Sequence, residues 1–148
     1  MSAPVILTVT REFAASPERV FDAWLDPAQA ARFLFATPDG EMLACEIDPR
    51  VGGRGRIVER RASGDAHHRL KFEAIERPNR LVFLFSADPA EDGEWTRVAI
   101  DIVPTHRGCT LTLTHEMDPA WASYEDQTRK GWTMILESLG RITEKQDG

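Results

Sequence analysis

The stretch YEDQTRKGWTMILESLGRIT, residues 124–143, sets the architecture. Thr128, Gly131, Trp132, Ile135, Leu136, Leu139 and Ile142 recur at the three-and-four spacing that gathers them on one side of an α-helix. Glu125, Asp126, Arg129, Lys130, Glu137 and Glu144 occupy the other side. A helix of roughly 20 residues is roughly 30 Å long, about the width of a small domain. It is too polar to span a membrane, and the segments before it read as strands. The pattern therefore predicts one long helix laid across a sheet, with its apolar stripe buried there.

The 148 residues fit one domain, residues 1–148. A chain of this length buries about 70% of the surface that it exposes when unfolded. With 42% hydrophobic and 28% charged residues the composition is that of a folded soluble protein. Acidic residues outnumber basic ones by 24 to 18, a net charge of −6, which argues against nucleic acid or an anionic membrane as partner. The N-terminus, MSAPVILTVTREF, lacks the basic segment and long apolar run of a signal peptide, so a cytoplasmic location is expected. Cys45 and Cys109, the only cysteines, lie within apolar alternating runs and read as two reduced thiols.

Upstream of the long helix, Val5, Leu7, Val9 and Phe13 alternate with polar residues, the pattern of a half-buried strand. Ser16-Pro17-Glu18 supplies an N-cap, a proline at the first helical position and an acid in the first turn, before a helix that carries Val20, Phe21, Trp24 and Leu25. Asp26-Pro27 repeats the signal and predicts a second short helix to about residue 33. Six further strands are expected near 42–48, 54–61, 69–76, 81–86, 96–104 and 110–117, seven in all. Turn residues separate them at Pro38-Asp39-Gly40, Gly52-Gly53, Ser63-Gly64-Asp65, Pro78-Asn79, Asp88-Pro89 with Asp92-Gly93, and Arg107-Gly108. Asp118-Pro119, a third cap-and-proline pair, leads toward the long helix.

This order is that of the α+β helix-grip fold, in which a curved seven-stranded antiparallel sheet wraps around a long C-terminal helix, with two short helices after the first strand. The sequence also resembles the activator of Hsp90 ATPase homologue 1-like branch of the START and Bet v 1-like superfamily. The matching pieces are TREF at 10–13, SPERVFDAW at 16–24 with DP at 26–27, DPRVGG at 48–53, IERPNRLV at 75–82 and GCTLTLTH at 108–115. GW at 131–132 and LESL at 136–139 complete them. The resemblance covers nearly the whole chain. Where relatives often carry tryptophan, this chain has Phe33 and Phe85, which keep an aromatic wall and remove an indole donor.

The resemblance implies a cavity between sheet and helix, and Phe33, Phe35, Phe72, Phe83, Phe85, His115, Met117, Trp132 and Leu136 are its candidate lining. Each also suits a filled core. His115 shares a strand face with Leu111, Leu113 and Met117, so it points with the apolar set. There it would contact a ligand, act as an acid or base, or be a core histidine satisfied by a backbone group or water. No second residue is compellingly paired with it for catalysis. Trp95 and Trp121 adjoin turns, as entrance guards or surface packing. Gly131 in mid-helix predicts local packing or close approach to the sheet or a ligand.

His67 and His68 are adjacent on a strand and point to opposite faces, a poor chelating pair, so no metal is expected. No phosphate-binding loop, dinucleotide-binding glycine pattern or nucleophile elbow is present, and no cofactor is expected. Arg50, Arg54, Arg56, Arg60 and Arg61 surround one hairpin, as a solvated strand face or a site for an acidic partner. The leading expectation is binding of a small hydrophobic or aromatic molecule by a monomer or homodimer. The alternatives implied by the superfamily are a cyclase- or aromatase-like enzyme using His115, and an interaction module for an Hsp90-like chaperone.

Overall fold

The computed structural model describes residues 5–36, 39–62, 64–87, 95–117 and 119–144. In chain order these form β1 (Val5–Phe13), α1 (Pro17–Leu25), α2 (Pro27–Ala30), β2 (Glu41–Ile47), β3 (Arg54–Arg61), β4 (Gly64–Glu76), β5 (Arg80–Ala87), β6 (Thr96–Pro104) and β7 (Cys109–Met117). A short 3₁₀ helix (Pro119–Tyr124) then leads into α3 (Glu125–Thr143). The strands make one antiparallel sheet in the order β1-β7-β6-β5-β4-β3-β2. β2 to β7 are successive hairpins, while β1 pairs with β7 from Val5↔Met117 to Phe13↔Cys109. α1 and α2 therefore carry the chain from one sheet edge to the other.

Curvature has a local origin. The pairing register shifts between Met42 and Ala44 in β2 and between Phe72 and Ala74 in β4, and an extra residue on one strand bends it and increases its twist. The concave face receives α3 and the short helices, with Trp24, Phe33, Phe72, Phe83, Leu136 and Leu139 closing the core at 0–2% exposure. This is the helix-grip arrangement.

The caps follow their sequence signals. Ser16 Oγ accepts from Arg19 N at 3.2 Å, and Asp26 Oδ1 accepts from Ala28 N at 3.0 Å. Hydrogen bonds from the Gln29 side chain and the Ala28 amide hold the Asp26 carboxyl below its usual range.

Some boundaries differ from the expectation. β4 starts five residues before position 69, so His67 and His68 lie within a strand. The regular part of α2 ends at Ala30 and hydrogen-bonded turns continue to Leu34, because the chain then turns through Phe35 at φ 57°. α3 starts at Glu125, and Tyr124 in the N-cap position makes no side-chain capping bond. In the Gly52-Gly53 turn the two glycines have different reasons: Gly52 adopts φ 85°, whereas a Cβ on Gly53 would collide with the Asp48 backbone. Expected turn residues Pro38, Ser63, Asp88-Pro89 and Asp92-Gly93, and the Asp118 cap, lie outside the described residues.

Cys45 is half-buried and Cys109 buried, and both thiols are free. Burial pushes both upward from their ordinary pKa. No helix among the described residues is long and apolar enough to cross a membrane.

Candidate functional site

An open-mouthed cavity of about 360 Å³ lies along the N-terminal half of α3. Trp132 and Ile135 form its helical wall, with Thr128, Gly131, Gln127 and Tyr124 toward the rim. Phe35, His68, Phe85 and Met117 face them from the segment after α2 and from β4, β5 and β7. The helical residues meet there because 128, 132 and 135 fall on one face of a helix. The sheet residues meet because Phe85 pairs with both Leu70 and Thr96 across neighbouring strands, and His68 lies one inward position from Leu70.

The rings are ordered. Phe35 stacks on His68 with centroids 4.2 Å apart and planes 1° from parallel, and on Phe85 at 4.9 Å and 14°. Trp132 crosses Phe35 and Phe85 at 58° and 69°. Phe35 is held in the left-handed backbone region at φ 57°, which is strained for a bulky side chain and costs of order 1 kcal/mol. Arg61 Nη2 donates to its carbonyl at 3.1 Å, while Arg61 Nε donates to the buried Glu59 carboxylate at 2.6 Å. A charged pair on β3 thus clamps the backbone that presents Phe35.

His115 sits behind Trp132 in a closed relay. The Trp132 Nε1–H donates to His115 Nδ1 at 3.1 Å, and His115 Nε2 lies 2.7 Å from Thr96 Oγ1. An indole N–H can only donate, so Nδ1 is the acceptor and the imidazole proton resides on Nε2. Thr96 then accepts that proton and donates its own to the Phe85 carbonyl at 3.3 Å. Every member is satisfied. Burial without a counter-charge pushes His115 down from 6.5 to about 4, so it is neutral at pH 7. With both nitrogens engaged by fixed partners, the ring orients Trp132 and has no open position at which to exchange a proton with a ligand.

The sequence profile of the family described as "Activator of Hsp90 ATPase homolog 1-like protein" matches residues 14–144. The chain belongs to this family. Among solved structures, a protein from Chromobacterium violaceum is similar at 26% identity and TM-score 0.85, covering 97% of this chain and 100% of that one. One from Rhodobacter sphaeroides is 26% identical at TM-score 0.81, with 93% and 90% covered. The AHSA1-like protein from Aeromonas hydrophila has the same fold at 21% identity and TM-score 0.80, with 97% and 99% covered. No protein in the curated set matches.

Within this member of the Hsp90 ATPase activator homologue 1-like family, Phe35, Phe85, Met117 and Trp132 meet at the cavity, and His115 supports it from behind. Phe33, Phe72, Phe83 and Leu136 do not line it: they are 0–2% exposed in the closed core. They share the right strand or helix face, but lie farther from the open end, where opposing side chains fill the space. Gly131 makes no close approach, because a Cβ there would meet nothing within 4 Å. The tight glycine is Gly140, whose added Cβ would strike the Arg11 guanidinium.

His68, Ile135, Thr128, Gln127, Tyr124 and Thr96 were not among the expected site residues. Strand parity with Leu70 and Phe72 points to His68, and parity with Val98 and Ile100 points to Thr96. Trp95 is half-buried and does not line the cavity, and the Trp121 side chain lies outside the described residues. Around the basic hairpin, Arg50, Arg56, Arg60 and Arg61 each pair with a carboxylate, so most of that cluster is neutralised locally. Among the described residues no group of histidine, cysteine and carboxylate side chains is arranged to hold a metal ion.

Proposed function

We propose that this protein binds a small hydrophobic or aromatic molecule between the sheet and the N-terminal half of α3. The observation that carries the reading is a cavity of about 360 Å³ walled by Phe35, Phe85, Trp132, Met117 and Ile135, within the 300–1,000 Å³ range usual for ligand pockets. Membership of a helix-grip family supports it. Affinity comes from apolar burial, at about 25 cal/mol per Å², and orientation from polar groups at the rim.

A catalytic role for His115 is disfavoured by its closed relay. An Hsp90-like partner rests on the family description alone.

The test is titration with an uncharged environment-sensitive dye, N-phenylnaphthylamine, of the wild-type protein and a Gly131→Leu variant. A leucine is well tolerated in a helix and projects into open space at this position, so the variant folds while its side chain occupies the rim. Saturable dye binding, weakened about tenfold or more in the variant, is the expected result; a tenfold loss corresponds to about 1.4 kcal/mol. Equal binding by both proteins removes the assignment to this cavity.

A further inference from the structure

On the premise that the cavity is a ligand site, we infer that its occupant is an uncharged planar aromatic molecule that enters with a bare hydrocarbon edge and keeps a hydrogen-bonding substituent at the rim. The deep wall dictates the first half of that description. Of its two polar side chains, Trp132 has its indole N–H engaged by His115, which lies behind the wall and is bonded in turn to Thr96, and His68 lies face to face with Phe35 at 4.2 Å. A hydroxyl or amide pushed against the Trp132 side of this wall exchanges water for no partner, a transfer that costs roughly 1–3 kcal/mol in proteins.

The rim dictates the second half. Tyr124, Gln127 and Thr128 bring hydroxyl and amide groups to the mouth, where solvent also reaches, so a polar substituent there keeps its hydrogen bonds. Charge has no place inside: among the described residues lining the cavity there is no aspartate, glutamate, lysine or arginine. The charges on this part of α3 offset one another, with Glu125 paired to Arg129 at 3.3 Å and Asp126 followed one turn on by Lys130, so an anion finds no net attraction at the mouth.

Ring geometry selects planarity. His68, Phe35 and Phe85 lie within 1–14° of parallel, with Phe35 stacked on the other two, an arrangement that a planar ring extends. The 4.9 Å between Phe35 and Phe85 leaves no slot for a third ring between them, so the ligand lies against the set and meets Trp132 edge-on or tilted. At the packing density of protein interiors, the volume holds up to roughly four fused rings, so a two-ring probe fits with room to spare.

Isothermal titration calorimetry of the full chain at neutral pH, with four probes of similar size, separates the alternatives. The probes are β-naphthol, the naphthalenediol with a second hydroxyl at the opposite end, naphthoate, and decanol. The expected result is saturable binding of β-naphthol, with the diol and the carboxylate each roughly tenfold or more weaker, as an unpartnered buried polar group or charge requires. Decanol should also bind more weakly. A diol as tight as β-naphthol means that the deep wall has a partner to give and overturns the inference. Naphthoate binding tighter than β-naphthol overturns the uncharged ligand, and decanol binding tighter overturns the planar one. If N-phenylnaphthylamine binds while β-naphthol has no advantage, the inference fails and the ligand site stands. If nothing binds to the cooperatively folded protein, both fail.

Discussion

The two halves of α3 rest on the same sheet and do different things. At its C-terminal end, Arg19 Nε donates to the Thr143 carbonyl at 2.7 Å and Nη2 to that of Ile142 at 3.2 Å, a cationic side chain on the exposed carbonyls of a helix end. Glu144 accepts from Ala14 N at 2.9 Å, and Arg11 packs over Phe13 at 4.6 Å while pairing with Glu144. At the N-terminal end there is no side-chain cap, a glycine with no neighbour within 4 Å of its missing Cβ, and a cavity below. The end cap and the ion pair lie in one half and the accessible space in the other, where Arg129 Nη1 donates to the Thr8 carbonyl at 2.8 Å and Trp132 donates to His115. A helix tied to the sheet at several points can leave a space between them without loosening the fold.

The largest contrast should come from truncation. Leu139 is completely buried in the closed half, so Leu139→Ala should cost about 3 kcal/mol. Ile135 borders the existing cavity at 8% exposure, and Ile135→Ala should cost less, about 1–2 kcal/mol, because part of its surface already lacks packing partners. Urea unfolding of both variants measures the difference. Equal losses would mean that the cavity closes around Ile135 in solution.

A pH series addresses the relay. His115 has a folded pKa near 4 against 6.5 when unfolded, so between those values the unfolded chain binds a proton that the folded one does not. Its stabilising contribution is complete above pH 6.5 and is lost as pH falls toward 4, by about 3 kcal/mol in total. The amide side chain of a His115→Gln variant would offer one acceptor and one donor to the same partners without titrating. The wild-type minus variant stability should therefore fall across that window, and parallel curves would show that the ring is not buried and neutral.

Much of the fold is legible because its signals are local. Alternation in Val5–Phe13 and Cys109–Met117 specifies both faces of β1 and β7, and Ser16-Pro17 and Asp26-Pro27 announce the starts of α1 and α2. The cavity is less so. Phe83 and Phe85 share a strand face, yet one is 1% exposed in the core and the other borders space, because the distinction depends on depth beneath α3. Period-two reasoning gives direction and not what lies in that direction. The left-handed turn at Phe35 carries no glycine to betray it, and the Arg61 clamp that holds it resembles one more surface arginine in a basic run.

The smallest effect is the sharpest test of the contrast, since it makes the same substitution in each half of one helix. Gly131→Ala adds a methyl where nothing lies within 4 Å and removes the backbone-entropy penalty of a mid-helix glycine, so it should raise stability by about 0.5–1 kcal/mol. Gly140→Ala gains the same propensity, but its methyl displaces the Arg11 guanidinium. That movement gives up the contact with Phe13, the pairing with Glu144 and the bond to the Glu12 carbonyl. A partly exposed cation–π contact and ion pair together contribute about 1 kcal/mol, and residual crowding adds to the loss. Gly140→Ala should therefore lower stability while Gly131→Ala raises it, read as shifts of opposite sign in the urea midpoint. If both variants gain, Arg11 moves aside freely, and the closed end of α3 is held by the Arg19 cap and the apolar packing of Leu136 and Leu139 rather than by a fitted glycine.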